Sequence, residues 1–389
     1  MNTNRHWTWI VSALLVAVPG CSSVRPDGLA CNFAEYTQPD VGWAPFAVEG
    51  NESELNVLTL SAGGEFGAYG TGFMRGWAET VSAKPITPAR VNVVAGVSTG
   101  AIISTHIFLE RYAEIDDVYR SVSGPQIYKA RSFLGILFSN SFMDASGKDA
   151  LIEKNLPHEV IDLVAKERRK GRQLLVGTVD LDSGAFLRID LTKLADESKN
   201  PNRDACYRAA VGAASAIPLA FPPIFVDNRM LVDGGLRHYA FIQNIDDFYK
   251  GSQVRRRLFA IYHGDLTPGR DRAGNGVLAI AKRLPEVALD QLLKDTAYRL
   301  DYIARFGPED QRFETYYMDA AAASTACAPK RLADECGGGR SNSEDMFCHP
   351  FMECLSDLGR KDGRKNATEN SWLRELMTRS LGSNPDGSK

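Results

Sequence analysis

Gly96-Val97-Ser98-Thr99-Gly100 sets a serine hydroxyl between two glycines, directly after the β-branched run Val91-Asn92-Val93-Val94 and ahead of the apolar Ala101-Ile102-Ile103. A buried strand that turns sharply into a helix holds the central side chain at the corner in a strained backbone conformation. The flanking glycines let neighbouring backbone pass where a Cβ would block it. Ser98 is therefore the candidate nucleophile. A serine hydroxyl needs a base to take its proton, and Met230-Leu231-Val232-Asp233-Gly234-Gly235 offers one, a carboxylate at a strand end with two glycines leaving room for the serine. Turn N–H groups there would favour the ionised carboxylate.

A third stretch, Ser61-Ala62-Gly63-Gly64-Glu65-Phe66-Gly67-Ala68-Tyr69-Gly70, follows the strand Leu55–Leu60 and opens a segment with Phe73, Met74 and Trp77 at helical spacing. A glycine-rich turn at a helix start presents N–H groups to an anion. Ala62 breaks the register of a dinucleotide fingerprint, and the Gly-Lys-Ser/Thr of a nucleotide P-loop is absent. The oxyanion of an acyl-transfer intermediate needs only two or three such donors, which Ala62, Gly63 and Gly64 would supply.

Two arrangements of the base stay open. In an α/β-hydrolase triad the order is serine, acid, histidine, and His238, His263 and His349 follow Asp233. His263, just after the strand Leu258–Tyr262, is the triad candidate. In the other arrangement Asp233 acts on Ser98 directly. His106 lies eight positions beyond Ser98, two helical turns away, and reads as a packed core histidine.

The elements that must position these residues alternate. Strands at Leu55–Leu60, Val91–Val97, Gln173–Thr178, Phe186–Ile189, Met230–Asp233 and Leu258–Tyr262 are separated by helical stretches, among them Ala205–Ala216 and Val277–Phe306. Asp180 to Gly184 is a turn by composition. The order predicts an α/β fold, an open central mostly parallel sheet with helices on both faces. Ligands in such sheets bind beyond the carboxyl ends of the strands, where Ser98, Asp233 and the glycine turn would all fall. Phe133-Leu134-Gly135-Ile136-Leu137-Phe138 would be buried core, or a lid or wall of an acyl-chain groove.

The 389 residues carry a formal net charge of −3. Basic runs such as Lys166–Lys170 and Arg255–Arg257 lack interleaved aromatics, so no nucleic-acid partner is expected. Arg5 and the apolar Trp7–Val18, too short to span a bilayer, run into Pro19-Gly20-Cys21-Ser22-Ser23. This resembles a bacterial lipoprotein signal over residues 1–20. The resemblance implies lipidation of Cys21, export to the cell envelope and a membrane partner through the anchor; Pro19 departs from the usual small residue. Residues 21–54 read as a tether, 55–320 as the catalytic domain, and 321–389 as a Cys-rich C-terminal extension with a disordered tail. Six further cysteines (Cys31, Cys206, Cys327, Cys336, Cys348, Cys354) permit three disulfides in an oxidising compartment. Their spacing does not suit zinc, and neither a metal nor a cofactor is expected.

Taken together, Ser61 to Gly67, Gly96 to Gly100 and Asp233-Gly234-Gly235 resemble, in content and order, the motifs of the patatin-like phospholipases, as do Thr178-Val179-Asp180-Leu181 and Ser215-Ala216-Ile217-Pro218 before Phe221-Pro222-Pro223. The resemblance covers roughly Leu55 to Tyr262. It implies an acyl ester hydrolase for phospholipids, lysophospholipids or related esters, with Ser98 as nucleophile, Asp233 as base and the glycine turn as oxyanion hole. The chain departs from the family pattern at Ala62, where glycine is usual, and at Phe66, where Lys or Arg is usual. Ala62 would strain a turn needing positive φ, and Phe66 removes a charge that could assist anion binding. A catalytically weak lipoprotein that binds lipid or a partner is the reading these two departures would favour.

Overall fold

The computed structural model describes residues 25–38, 54–80, 91–132, 135, 139–242, 255–264, 275–306, 312–332, 336 and 346–369. A nine-stranded mixed sheet forms its centre. Five strands run parallel: β1 (Glu54–Leu60), β2 (Val93–Val97), β3 (Gln173–Asp180), β6 (Arg255–Tyr262) and β7 (Glu314–Asp319). In space they lie in the order β3-β2-β1-β6-β7. Beyond β3 the sheet turns antiparallel, with β4 (Phe186–Asp190) on its outer edge and β5 (Arg229–Asp233) pairing at its far end.

Strands buried on both faces read as near-continuous apolar runs, and the period of two sorts their side chains. Leu58, Leu60, Val94, Leu174 and Val176 face one layer with the helices α1 (Gly67–Ala78), α2 (Thr99–Phe108), α3 (Tyr112–Ser121), α4 (Ser146–Asn155), α5 (Arg203–Ala214) and α7 (His349–Glu369). Leu55, Val57, Val93, Ala95, Val97 and Leu175 face the other layer with Phe186, Val232, Phe241 and Ala304. Ala304 belongs to α6 (Val277–Phe306), whose Leu293, Ala297 and Leu300 pack on Ala260, Tyr262 and Tyr317.

Six of the seven cysteines pair: Cys31–Cys206, Cys327–Cys354 and Cys336–Cys348. The last two brace the C-terminal extension, whose Phe351, Met352 and Leu355 are buried in the main core. The glycines Gly72 and Gly76 of α1 let it pass against the α7 backbone at Ser356 and Arg360.

Residues 25–38 are not a free tether. Cys31 is bonded to α5, Thr37–Gln38 adds an antiparallel strand beside β4, and Asp227 accepts the N–H groups of Cys31, Asn32 and Phe33. Phe33 and Tyr36 are buried. The apolar side chains of this segment follow neither a helical nor a strand period, so its docking is a tertiary fact. Cys21 and the segment 1–20 expected to be a signal lie outside the described residues, as do Phe133, Leu134 and Ile136 to Phe138. Among the described residues, no helix is long and apolar enough to cross a membrane.

Candidate active site

Ser98 occupies the corner between β2 and α2 with φ 54° and ψ −122°, a backbone strain that a packed site must hold in place. A Cβ on Gly96 would come within 2.4 Å of the Gly100 carbonyl oxygen, and one on Gly100 within 2.2 Å of the Leu60 carbonyl oxygen. The two glycines therefore close the corner against the end of β1. The Ser98 N–H donates to the Ala214 carbonyl at 2.9 Å.

Asp233 ends β5, and its N–H donates to the Ala216 carbonyl at 2.9 Å. Its Oδ1 accepts the Gly235 N–H at 2.7 Å, while Oδ2 has no well-formed hydrogen bond among the described residues. Burial pushes this carboxyl up to about 6, offset in part by the Ser98 hydroxyl, the Gly235 N–H and the Lys148 ammonium. A Cβ on Gly234 would meet the Gly177 carbonyl at 2.3 Å, so β5 reaches β3 only with glycine there. Ser98 and Asp233 are thus brought together.

The glycine turn departs from expectation at one donor. Ala62 is not an oxyanion donor, because its N–H is already bonded to the Tyr239 carbonyl at 2.7 Å. The positive φ values fall on Gly63 (154°) and Gly64 (56°), so Ala62 is not strained. A Cβ on Gly63 would overlap the His263 carbonyl at 1.7 Å. The N–H groups of Gly63 and Gly64 donate to no group among the described residues, and Gly64 lines the same pocket as Ser98. Gly67 admits the Thr99 hydroxyl and the Tyr119 ring, which are hydrogen-bonded to each other. Phe66 meets Phe351 of α7 edge-on at 5.7 Å, and Glu65 accepts the Phe347 N–H at 2.9 Å. The residue that breaks the family's basic position instead seats the C-terminal extension on the turn.

His263 does not form a triad. Its Nδ1–H donates to the Ser61 carbonyl at 2.7 Å, its backbone N–H donates to Ser61 Oγ at 2.7 Å, and Nε2 faces Gly70 of α1. Burial lowers it to about 4. It supports the turn from behind rather than addressing Ser98. His238 packs edge-on against Phe186.

A pocket of about 800 Å³, counting its open mouth, runs inward from Ser98 and Gly64. Its walls are almost wholly apolar: Ile102 from α2, Ile115 and Val118 from α3, Ile152 from α4, Val211 from α5, and Phe221. His106 also lines it, buried and lowered to about 4 mainly by that burial. Sequence reasoning missed these walls and Lys148, whose buried ammonium donates to the Gly212 carbonyl at 3.1 Å. No motif surrounds Lys148, and the helix carrying it gives no apolar stripe that would mark it as inward.

A model of the Patatin family, described as patatin-like phospholipase, matches residues 58–243. The matched stretch contains the glycine turn, Ser98 and Asp233. Among solved structures, VipD from Legionella pneumophila is similar at 11% identity and a TM-score of 0.35, covering 86% of this chain and 73% of that one. A structure of SpcU in complex with ExoU from the type III secretion system of Pseudomonas aeruginosa is similar at 11% identity and a TM-score of 0.27, covering 82% and 72%. No curated protein sequence matches the chain.

Proposed function

We propose that this protein is a serine acyl hydrolase for lipid esters, working through a Ser98–Asp233 dyad. The observation that carries the reading is the shared location of a strained serine, a buried carboxylate and a pocket lined mainly by apolar side chains. Asp233 accepts the Ser98 proton as Oγ bonds to the ester carbonyl carbon. The oxyanion is met by the Gly63 and Gly64 N–H groups and by the N-terminal end of α2. The ester C–O bond then breaks, and the leaving alcohol takes the proton back from Asp233. Water, deprotonated by Asp233, attacks the acyl-Ser98 carbonyl and releases the fatty acid with the serine restored. No step calls on a histidine.

The three disulfides support an exported protein, and the resemblance of residues 1–20 to a lipoprotein signal ahead of Cys21 supports a lipid anchor in the cell envelope. The test is covalent labelling by a fluorophosphonate probe of wild type, Ser98→Ala, Asp233→Asn and His263→Ala, each checked for folding. Labelling lost in the first two variants and kept in the third is the expected result. Loss with His263→Ala in a folded protein would restore the triad. A folded wild type that neither labels nor hydrolyses dispersed or vesicle-bound lipid esters would make the protein a lipid- or partner-binding lipoprotein.

A further inference from the structure

A helix leaves its last carbonyl groups without intrahelical donors, and at the end of α5 the proposed site supplies them. Ala214 O takes the Ser98 N–H and Ala216 O takes the Asp233 N–H, each at 2.9 Å. Between these two anchors Lys148 Nζ donates to Gly212 O at 3.1 Å, Ser215 O at 3.4 Å and Ser215 Oγ at 3.5 Å. Nucleophile and base thus hang by their backbones from one turn, and a single side chain from α4 clamps that turn. Lys148 is 5% exposed, lines the pocket beside Ser98 and lies 5.4 Å from the centre of the Phe221 ring. A buried ammonium is costly to desolvate. A place at a helix C-terminus, where positive charge is favoured, offsets that cost.

We propose that Lys148 is the positioning residue of this site, fixing the 212–216 turn and through it the separation of Ser98 from Asp233. The proposal rests on the reading of those two residues as nucleophile and base. Lys148 also brings positive charge to Asp233. The other groups that act on this pair are known. Asp149, on α4 itself, lies 4.0 Å from Lys148; Tyr239 approaches Asp233 from the segment after β5; and His106 of α2 lines the same pocket. With those three unchanged, removing the Lys148 charge alone should make Asp233 easier to protonate.

The experiment uses the whole protein with p-nitrophenyl butyrate as probe, comparing wild type, Lys148→Met and Lys148→Arg after melting curves establish folding. Lys148→Met should lose kcat by about 10–100-fold, as expected for a misplaced reacting pair. Its KM should stay within about threefold, since the ground-state contacts remain. The acid limb of its pH profile should move to higher pH, and Lys148→Arg should recover most of kcat. An unchanged kcat in Lys148→Met, an unmoved acid limb, or equal losses in the Met and Arg variants overturns the proposal. Should Lys148→Met fail to fold, Lys148→Gln, which keeps an N–H donor without the charge, is read in the same way. Should neither neutral variant fold, a wild-type kcat and pH profile in Lys148→Arg supports the proposal, and a loss there counts against it. Folded wild type that neither labels at Ser98 nor hydrolyses lipid esters defeats the hydrolase reading itself, whereas wild type that labels beside an unaffected Lys148→Met defeats only this proposal.

Discussion

Asp233 takes up the edge of β3 where Val97 leaves it: Val97 pairs with Gly177 in the parallel ladder, and Asp233 pairs with Thr178 in the antiparallel one. Strands β2 and β5 run toward each other along one edge and stop at adjacent residues. Ser98 follows Val97 immediately, so the change from parallel to antiparallel pairing is itself what brings hydroxyl and carboxylate together. Either strand alone could slip in register by two residues and still bury its apolar face. The meeting of their ends forbids it.

The pH dependence follows from the burial of Asp233. Its carboxyl is raised to about 6, and a general base works only when ionised. In the free enzyme kcat/KM should therefore be low in acid, rise through about pH 6 and level off above it. A stopped assay with p-nitrophenyl butyrate between pH 4 and 9 measures this. An acid limb near pH 4, the value of an ordinary aspartate, would mean that another group sets the rate.

The glycine turn separates two substitutions that look alike in sequence. Gly63→Ala introduces a Cβ onto the His263 carbonyl at a φ of 154°, so the turn must open and its donors move. The loss of an oxyanion donor lowers kcat by about 10²–10³-fold, and that is the expected outcome. Ala62→Gly should leave kcat within about threefold, because the Ala62 N–H is bonded to Tyr239 and its φ is not positive. A large gain from Ala62→Gly would show that this position limits the natural enzyme.

His263 is expected to matter for stability and not for turnover. Removing it leaves the Ser61 carbonyl without its donor, at a cost of about 1–3 kcal/mol. Its folded pKa, about 4, lies below the ordinary histidine value of 6.5. The unfolded chain therefore binds more protons across that window, and this contribution to stability is lost as pH falls from 6.5 toward 4. His106 acts in the same direction, whereas Asp233, raised on folding, acts in the opposite one. Denaturant melts of His263→Ala should show a lower midpoint at pH 7 and a smaller acid-side decline than wild type. Equal declines would place the titrating histidine elsewhere.

The apolar pocket predicts chain-length selectivity. Ile152, buried on α4, lines it, and Ile152→Phe would fill part of it. Hydrolysis of the decanoate ester should fall by about tenfold or more in kcat/KM relative to the butyrate ester, with a stability loss of about 1–3 kcal/mol from overpacking. A parallel loss on both esters would show that the acyl chain lies elsewhere.

Much of the proposed site was legible in the chain because its parts are local. The corner at Ser98, the glycine turn after Leu60 and the carboxylate at the end of β5 each join a strand to a tight turn within a few residues, and close backbone approach demands glycine there. The sheet was legible for a related reason, since strands buried on both faces must be runs of apolar residues. What only the tertiary structure decided are contacts between residues far apart in sequence. His263 turns its ring to Ser61 and not to Ser98, the Ala62 N–H is taken by Tyr239, and Lys148 reaches the end of α5 from a helix without a marked apolar face. The segment around Cys31 docks through a disulfide and an aspartate cap, and α7 and the residues leading into it reach the glycine turn through Phe66 and Glu65. Each of these depends on where a donor, an acceptor or a cavity lies in space, and neither residue type nor spacing along the chain encodes that position.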